Sequence, residues 1–123
     1  MIEVPNWRSF WRVVWGRWWM PLFVPQHLSH FAPATLRDAL VRAGLEPVHH
    51  QTLLMPIELV LSLRGFVHDL VAPEGRPPPW VDRALGPVIL VLWFLVELPV
   101  QFWLRAFGVS GHQVWIARRP EGA

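Results

Sequence analysis

The spacing of hydrophobic positions changes several times along the chain, and each change predicts a different element. Residues 1–4 predict the end of a strand, which is closed by the turn-forming pair Pro5-Asn6. Tryptophans then recur at close to helical spacing, and they predict a short helix that ends near Gly16. These tryptophans are Trp7, Trp11, Trp15 and Trp18 or Trp19.

A second helix and a second strand come next. Pro33 suits the first turn of a helix, apolar residues recur on one face, and Gly44 supplies a left-handed cap. The apolar positions are Leu36, Ala39, Leu40 and Ala43. Residues 45–54 then predict a strand, so the order helix, glycine cap, strand is that of an α/β unit.

Residues 55–108 interrupt this order with two apolar limbs. In residues 57–71 a few polar positions share one helical stripe and apolar side chains cover the remainder. Residues 72–79 form a proline-rich turn, residues 88–96 are an uninterrupted apolar run, and residues 112–119 predict a final strand. The polar stripe consists of Glu58, Ser62, Gly65 and Asp69. We therefore expect an apolar helical hairpin inserted into an α/β domain, with segments 1–54, 55–108 and 109–123.

The second limb raises the question of a membrane. Residues 85–107 would form a helix of about 35 Å, which is enough for a hydrocarbon core of roughly 30 Å. Against a full span, Glu97 costs roughly 3 kcal/mol on insertion scales, and Pro87 and Pro99 bracket the most apolar part. We expect a hairpin that dips into one leaflet. The alternative is that both limbs bury against the domain or a dimer partner.

Composition narrows the class of protein. The chain has 123 residues, 53% of them hydrophobic, with nine Trp and no Tyr, which fits one apolar domain and not a disordered tail. All basic residues are Arg, yet the net charge is only +2, which argues against a nucleic-acid partner. There is no Cys for a disulfide or thiolate metal site and no secretory signal pattern, so we expect a cytoplasmic protein at the inner face of a membrane. The predicted tryptophan-rich helix fits a membrane interface, and a cover helix on a protein body is the alternative.

His27 and His30 are the first candidates for chemistry. Their spacing suits zinc, but a metal site needs a third ligand and no carboxylate lies close in sequence. His49, His50, His68 and His112 are the other histidines. Ser29 lies in no strand-turn-helix elbow, which argues against a serine hydrolase. The simplest interpretation is that the two histidines orient a loop through hydrogen bonds.

An ordered set of short motifs resembles the C-terminal half of class I S-adenosylmethionine-dependent methyltransferases. The motifs are Val4-Pro5-Asn6, Trp19, Pro25-x-His27-Leu28, His30-Phe31, Pro33, Leu36 and Ala43-Gly44-Leu45. The resemblance covers residues 1–54 and, more loosely, the last strand. It implies the C-terminal part of a Rossmann-like sheet, in which the three predicted strands are the fifth, sixth and seventh, the last one antiparallel.

The resemblance also implies roles for individual residues. The loop after the fifth strand lies where ligands bind in open α/β sheets, so His27 and His30 would face the methyl acceptor as catalytic or orienting groups. Pro25, Trp19 and Phe31 would contact that substrate, and Pro5 and Asn6 would lie at the edge of the cofactor site. Ala32 replaces the Ser or Thr helix cap that is common in the family.

The cofactor half of such an enzyme has no counterpart in the sequence. None of the eight glycines forms the Gly-rich turn that binds S-adenosylmethionine. The expected function is therefore the C-terminal part of a methyltransferase for an apolar or lipid-linked acceptor, inactive alone. Its partners would be a membrane surface and either the missing cofactor half or a second copy of the chain. A relic without activity, or a small non-enzymatic membrane-associated interaction module, is the alternative.

Overall fold

A computed structural model describes residues 1–22 and 27–120. Its three strands and five helices follow the order of the sequence patterns. In chain order the elements are β1 (Ile2–Pro5), α1 (Phe10–Trp15), α2 (Pro33–Arg42), β2 (Glu46–Leu53), α3 (Glu58–Val71), α4 (Pro79–Leu92), α5 (Leu98–Ala106) and β3 (His112–Arg118). Two 3₁₀ turns, Gly16–Trp18 and Met20–Leu22, follow α1. The fold is thus mixed α/β, as predicted, and the strands differ from their predicted bounds by about one residue.

The three strands form one sheet in the order β1-β3-β2, with β3 antiparallel to both neighbours. Ile2 and His50 lie on either side of Trp115, and an irregularity between Pro47 and His49 shifts the β2 register. The central strand carries Val114 and Trp115, which are both buried. The expected antiparallel last strand is therefore present.

Helix α2 covers one face of the sheet. Leu36 and Leu40 are buried against Trp115, one helical turn apart, as the apolar face of α2 predicts. The helix begins at Pro33, and Gly44 adopts φ +74°, the left-handed conformation predicted for its cap. A separate cluster of Trp11, Trp19, Leu59 and Leu104 joins the N-terminal segment to α3 and α5.

The second limb is one long helix. Residues Pro79–Ala106 form 28 helical residues, in which a π-helical segment, Trp93–Glu97, links α4 to α5. Pro87 and Pro99, which bracket the most apolar part, both lie inside this helix and do not end it. Proline lacks an N–H and its ring crowds the carbonyl four residues earlier, and the wide π turn just before Pro99 relieves that crowding.

Polar and apolar side chains of the hairpin are distributed in an unusual way. Glu58 and Ser62, from the predicted polar stripe of α3, are completely buried, and so are Glu97 and Gln101 on the long helix. Apolar side chains of the long helix are exposed instead. They are Trp80, Val88, Leu90, Val91, Phe94, Leu95, Val96, Phe102 and Trp103. The polar face therefore points inward and the apolar face outward, the reverse of a helix on a water-soluble protein.

Candidate functional site

The end of β1 and the segment before α2 meet. Asn6 and Phe31 form a parallel bridge, and the Trp7 amide donates to the Phe31 carbonyl at 3.0 Å. Gln113 Nε2 on β3 donates to the same carbonyl at 2.7 Å. The structure therefore brings Pro5, Asn6 and Phe31 together at the carboxyl end of β1, where the resemblance placed a ligand site.

Asn6 has no donor left for a ligand. Its side chain is completely buried, and both amide hydrogens are used on the carbonyls of Gly108 (3.2 Å) and Ser110 (2.9 Å). Its Oδ1 accepts from the Arg8 amide at 3.0 Å. Pro5 is also buried and has no N–H. These two residues therefore shape the turn after β1, and they do not fit a direct contact to S-adenosylmethionine.

An aromatic series leads from the core to the loop histidine. Trp19 is 1% exposed and packs edge-on against Trp7, with 6.5 Å between ring centroids. Trp7 in turn lies 5.2 Å from the His30 ring. The Nε2 atom of His30 is buried and has no hydrogen-bond partner within residues 1–22 and 27–120. Trp7 thus packs against His30 from the side of the core.

Among the described residues, His27 makes one side-chain hydrogen bond. Its Nδ1 lies 3.1 Å from the carbonyl oxygen of Pro21, which can only accept, so Nδ1 carries the proton. In the neutral ring the lone pair is then on Nε2, the form that a general base needs. Pro25, the third predicted loop residue, lies outside the described residues.

A buried carboxyl holds Trp19 in place. Glu58 Oε1 accepts from Trp19 Nε1 at 2.7 Å and from Ser9 Oγ at 3.2 Å, and Oε2 accepts from Gln101 Nε2 at 3.2 Å. Burial raises the pKa of the Glu58 carboxyl, while the hydrogen bonds from Trp19, Gln101 and Ser9 oppose that rise. Glu58 therefore connects three parts of the chain through Trp19 between the 3₁₀ turns, Ser9 before α1 and Gln101 on the long helix.

Two further features define this buried cluster. Gly111 lies against the Glu58 carboxyl group so closely that an added Cβ would collide with it. Glu97 accepts from the backbone amides of Leu59 (2.8 Å) and Val60 (3.3 Å), so it caps the first turn of α3. The Glu97 carboxylate, which in the sequence argued against a membrane span, therefore points into the protein interior.

The remaining histidines are dispersed. His50 stacks on Trp115 with 4.3 Å between centroids, His68 Nε2 lies 2.9 Å from Asp82, and His112 Nδ1 lies 3.3 Å from Glu3. Within residues 1–22 and 27–120 no group of three or more His, Cys, Asp or Glu residues is placed to hold a metal ion.

Sequence reasoning missed Glu58, Gln101 and Gly111 as parts of the site. The signal for Glu58 was present, because a carboxylate in an apolar helix needs partners when it is buried. Those partners, however, come from positions about forty residues away in either direction. Trp19 was singled out, and its side chain is anchored in the core.

No protein-family model, curated protein or solved structure matches the chain.

Proposed function

We propose that the chain is the acceptor-side part of an S-adenosylmethionine-dependent methyltransferase that lies on a membrane and acts on an apolar or lipid-linked acceptor. The observation that carries the membrane part is the inverted hairpin. Glu58, Ser62, Glu97 and Gln101 are buried, while the apolar side chains of the long helix are exposed. Transfer of those side chains from water into lipid contributes on the order of 10 kcal/mol.

The long helix is long and apolar enough to cross a membrane by length and composition, and only 11% of its most apolar window is buried. The contacts of α3 place charged side chains at one end of the hairpin. Arg17 and Trp18 reach Asp69 near the far end of α3, and Arg64 and His68 contact Asp82 near the start of α4. These charged groups surround the turn between α3 and α4, so this end of the hairpin suits the polar headgroup level of a membrane.

The methyltransferase part is supported by the sheet and the loop. The last strand is antiparallel to both neighbours, as the resemblance implies, and the loop with His27 and His30 lies beside the carboxyl end of β1. We assign His27 Nε2 as the base that takes a proton from the acceptor. His30, fixed on Trp7, orients the same group. Because Pro5 and Asn6 offer no contact, the cofactor belongs to a second half outside these residues.

Liposome flotation tests the membrane part. The chain should float with vesicles in high salt, and Phe94→Glu, at an exposed position of the long helix, should lower partitioning at least about tenfold. Val41→Glu is the matched control, because Val41 is an exposed apolar residue on α2, away from the hairpin. Equal partitioning of the two variants, or a soluble monomer that ignores vesicles, would contradict the proposal.

The coding DNA upstream of Met1 tests the enzyme part first, because an in-frame Gly-rich strand-turn-helix there supplies the cofactor half. In the joined protein, transfer of a labelled methyl group to lipid extract is the readout. His27→Ala should lower turnover by about 100-fold, whereas His49→Ala, on β2, should change it little. Equal losses in both variants would refute the assignment of His27.

The second candidate is a non-enzymatic membrane-bound interaction module. The observation in its favour is that both side-chain amide hydrogens of Asn6 are used inside the chain. Asn6 therefore has no side-chain donor for a cofactor. A chain that binds vesicles, lacks a cofactor half upstream and yields no methylated lipid would favour this candidate.

A further inference from the structure

A cleft of about 800 Å³ opens between the 3₁₀ turns and one face of α3. Its lining residues are Arg17, Trp18, Trp19, Met20, Leu22, Leu61, Arg64, Gly65 and His68. This volume is within the range of small-molecule sites, roughly 300 to 1,000 Å³. The cleft is separate from the buried Glu58 cluster but shares Trp19 with it.

The walls and the rim of the cleft differ in chemistry. Trp18, Trp19, Met20, Leu22 and Leu61 make the walls apolar. Such walls suit a hydrocarbon chain, since they offer it the same environment as the lipid beside the hairpin.

The rim of the cleft carries two arginines, Arg17 and Arg64. Arg17 is paired with Asp69, and Arg64 donates from Nε and Nη2 to Asp82 at 2.8 and 3.2 Å. The side chains of both arginines are substantially exposed, at 72% and 46%, and each keeps further N–H donors. These remaining N–H donors are what the rim offers to an anion.

The cleft is next in the chain to the contact of a loop histidine. Pro21, whose carbonyl accepts from His27 Nδ1, lies in sequence between the lining residues Met20 and Leu22. Neither Pro21 nor His27 lines the cleft.

We infer that this cleft binds a lipid phosphate, with its hydrocarbon chain between Trp18 and Leu61 and its phosphate at Arg17 and Arg64. The inference goes beyond the proposed function, because it assigns a lipid-binding site that does not include His27. The arginine forks donate in the geometry that phosphate oxygens accept. The lipid phosphate enters from the leaflet in which the hairpin lies.

Photolabelling tests the cleft without any cofactor. The chain is held in amphipol and exposed to decyl phosphate with a diazirine in its chain, and the labelled peptides are mapped by mass spectrometry. We expect labels on residues 17–22 and 61–68. Unlabelled decyl phosphate should compete, inorganic phosphate alone should not, and the matching diazirine decanol should label at least about tenfold less.

Two glycines give a matched pair of variants. Gly65 lies on the cleft and has no atom within 4 Å of an added Cβ, so Gly65→Leu adds a side chain at the cleft whose Cβ meets no other atom. Gly86 on α4 also has no atom within 4 Å of an added Cβ, but it does not line the cleft, so Gly86→Leu is the control. Both changes favour a helix, so folding is retained. Labelling should fall at least about tenfold in Gly65→Leu and stay unchanged in Gly86→Leu.

Three outcomes would overturn the inference. These are labelling that Gly65→Leu does not reduce, labels confined to the exposed side of the long helix, and equal labelling by the alcohol and the phosphate. Arg17→Gln should weaken the phosphate probe at least about threefold and leave the alcohol unchanged.

The cleft and the proposed function can fail separately. If the cleft is labelled but the protein transfers no methyl group, the methyltransferase proposal is refuted and the lipid phosphate site is retained. If Gly65→Leu does not reduce labelling but methyl transfer to lipid is observed, the lipid phosphate site is refuted and the methyltransferase proposal is retained.

Discussion

Replacement of Glu97 by leucine distinguishes two opposite expectations for the long helix. In the sequence Glu97 interrupts an apolar run, and a carboxylate that faces lipid would make Glu97→Leu favourable by roughly 3 kcal/mol. In the structure the carboxylate is completely buried and accepts from the amides of Leu59 and Val60. Leucine cannot accept, so the sign of the effect is reversed.

The structure also sets the size of the loss. Each buried amide left without an acceptor costs about 1 to 3 kcal/mol, and the Val60 bond, at 3.3 Å, is the weaker one. Removal of a buried carboxylate offsets part of this cost. We expect a net loss of about 2 kcal/mol, which lowers the unfolding temperature by roughly 8 °C in a chain of this size. Glu97→Gln keeps one acceptor and should lose about half as much.

Near-ultraviolet circular dichroism of the nine tryptophans in detergent measures this transition. Glu74→Leu is the control, since Glu74 is exposed in the turn between α3 and α4 and should change stability by less than about 0.5 kcal/mol. A higher unfolding temperature for Glu97→Leu, with stronger vesicle binding, would refute the buried cap.

Further predictions concern the buried carboxyl cluster. Gly111→Ala should lower the free energy of unfolding by about 2 to 4 kcal/mol in chemical denaturation, because its Cβ displaces a Glu58 carboxyl that is held by Trp19, Gln101 and Ser9. Glu58→Asp, which withdraws the carboxyl by one methylene, should restore part of that loss, and simple additivity of the two changes would contradict the contact. The pKa of Glu58 is raised by burial, so its stability contribution is complete below the ordinary value of 4.5 and is lost as pH rises through the folded pKa. Thermal unfolding measured from pH 4 to 8 should therefore show that wild type loses stability relative to Glu58→Gln as pH rises. The loss should be about 1.4 kcal/mol for each unit by which the Glu58 pKa differs between the folded and the unfolded state. Parallel profiles of the two proteins would argue against a buried acid.

The exposed apolar surface of the long helix and the buried cluster have a common physical cause. Polar groups that leave water need fixed partners, and in the hairpin these partners are the Leu59 and Val60 amides and the Trp19 indole. Once they are satisfied inside, the outer surface of the long helix carries only apolar side chains between residues 84 and 104.

Much of the fold is local in origin and could be predicted. The α2 helix from Pro33 to Arg42, the left-handed Gly44 and the three strands follow from spacing, capping and turn chemistry within a few residues. The candidate loop was also found, because His27 and His30 stand in a compact motif. Their surroundings could not be found, since Pro21 and Trp7 reach them only after the chain has folded.

By itself the sequence determined the elements, the α/β class and the presence of an apolar hairpin, because periodicity and caps act over one or two helical turns. Only the tertiary structure decided which way the hairpin faces. The same polar stripe can face water or a protein interior, and the choice depended on distant donors, such as Trp19 for Glu58 and the α3 amides for Glu97. The long helix also continued through Pro87 and Pro99, and at Pro99 a preceding π-helical turn, which no local rule predicts, relieves the crowding.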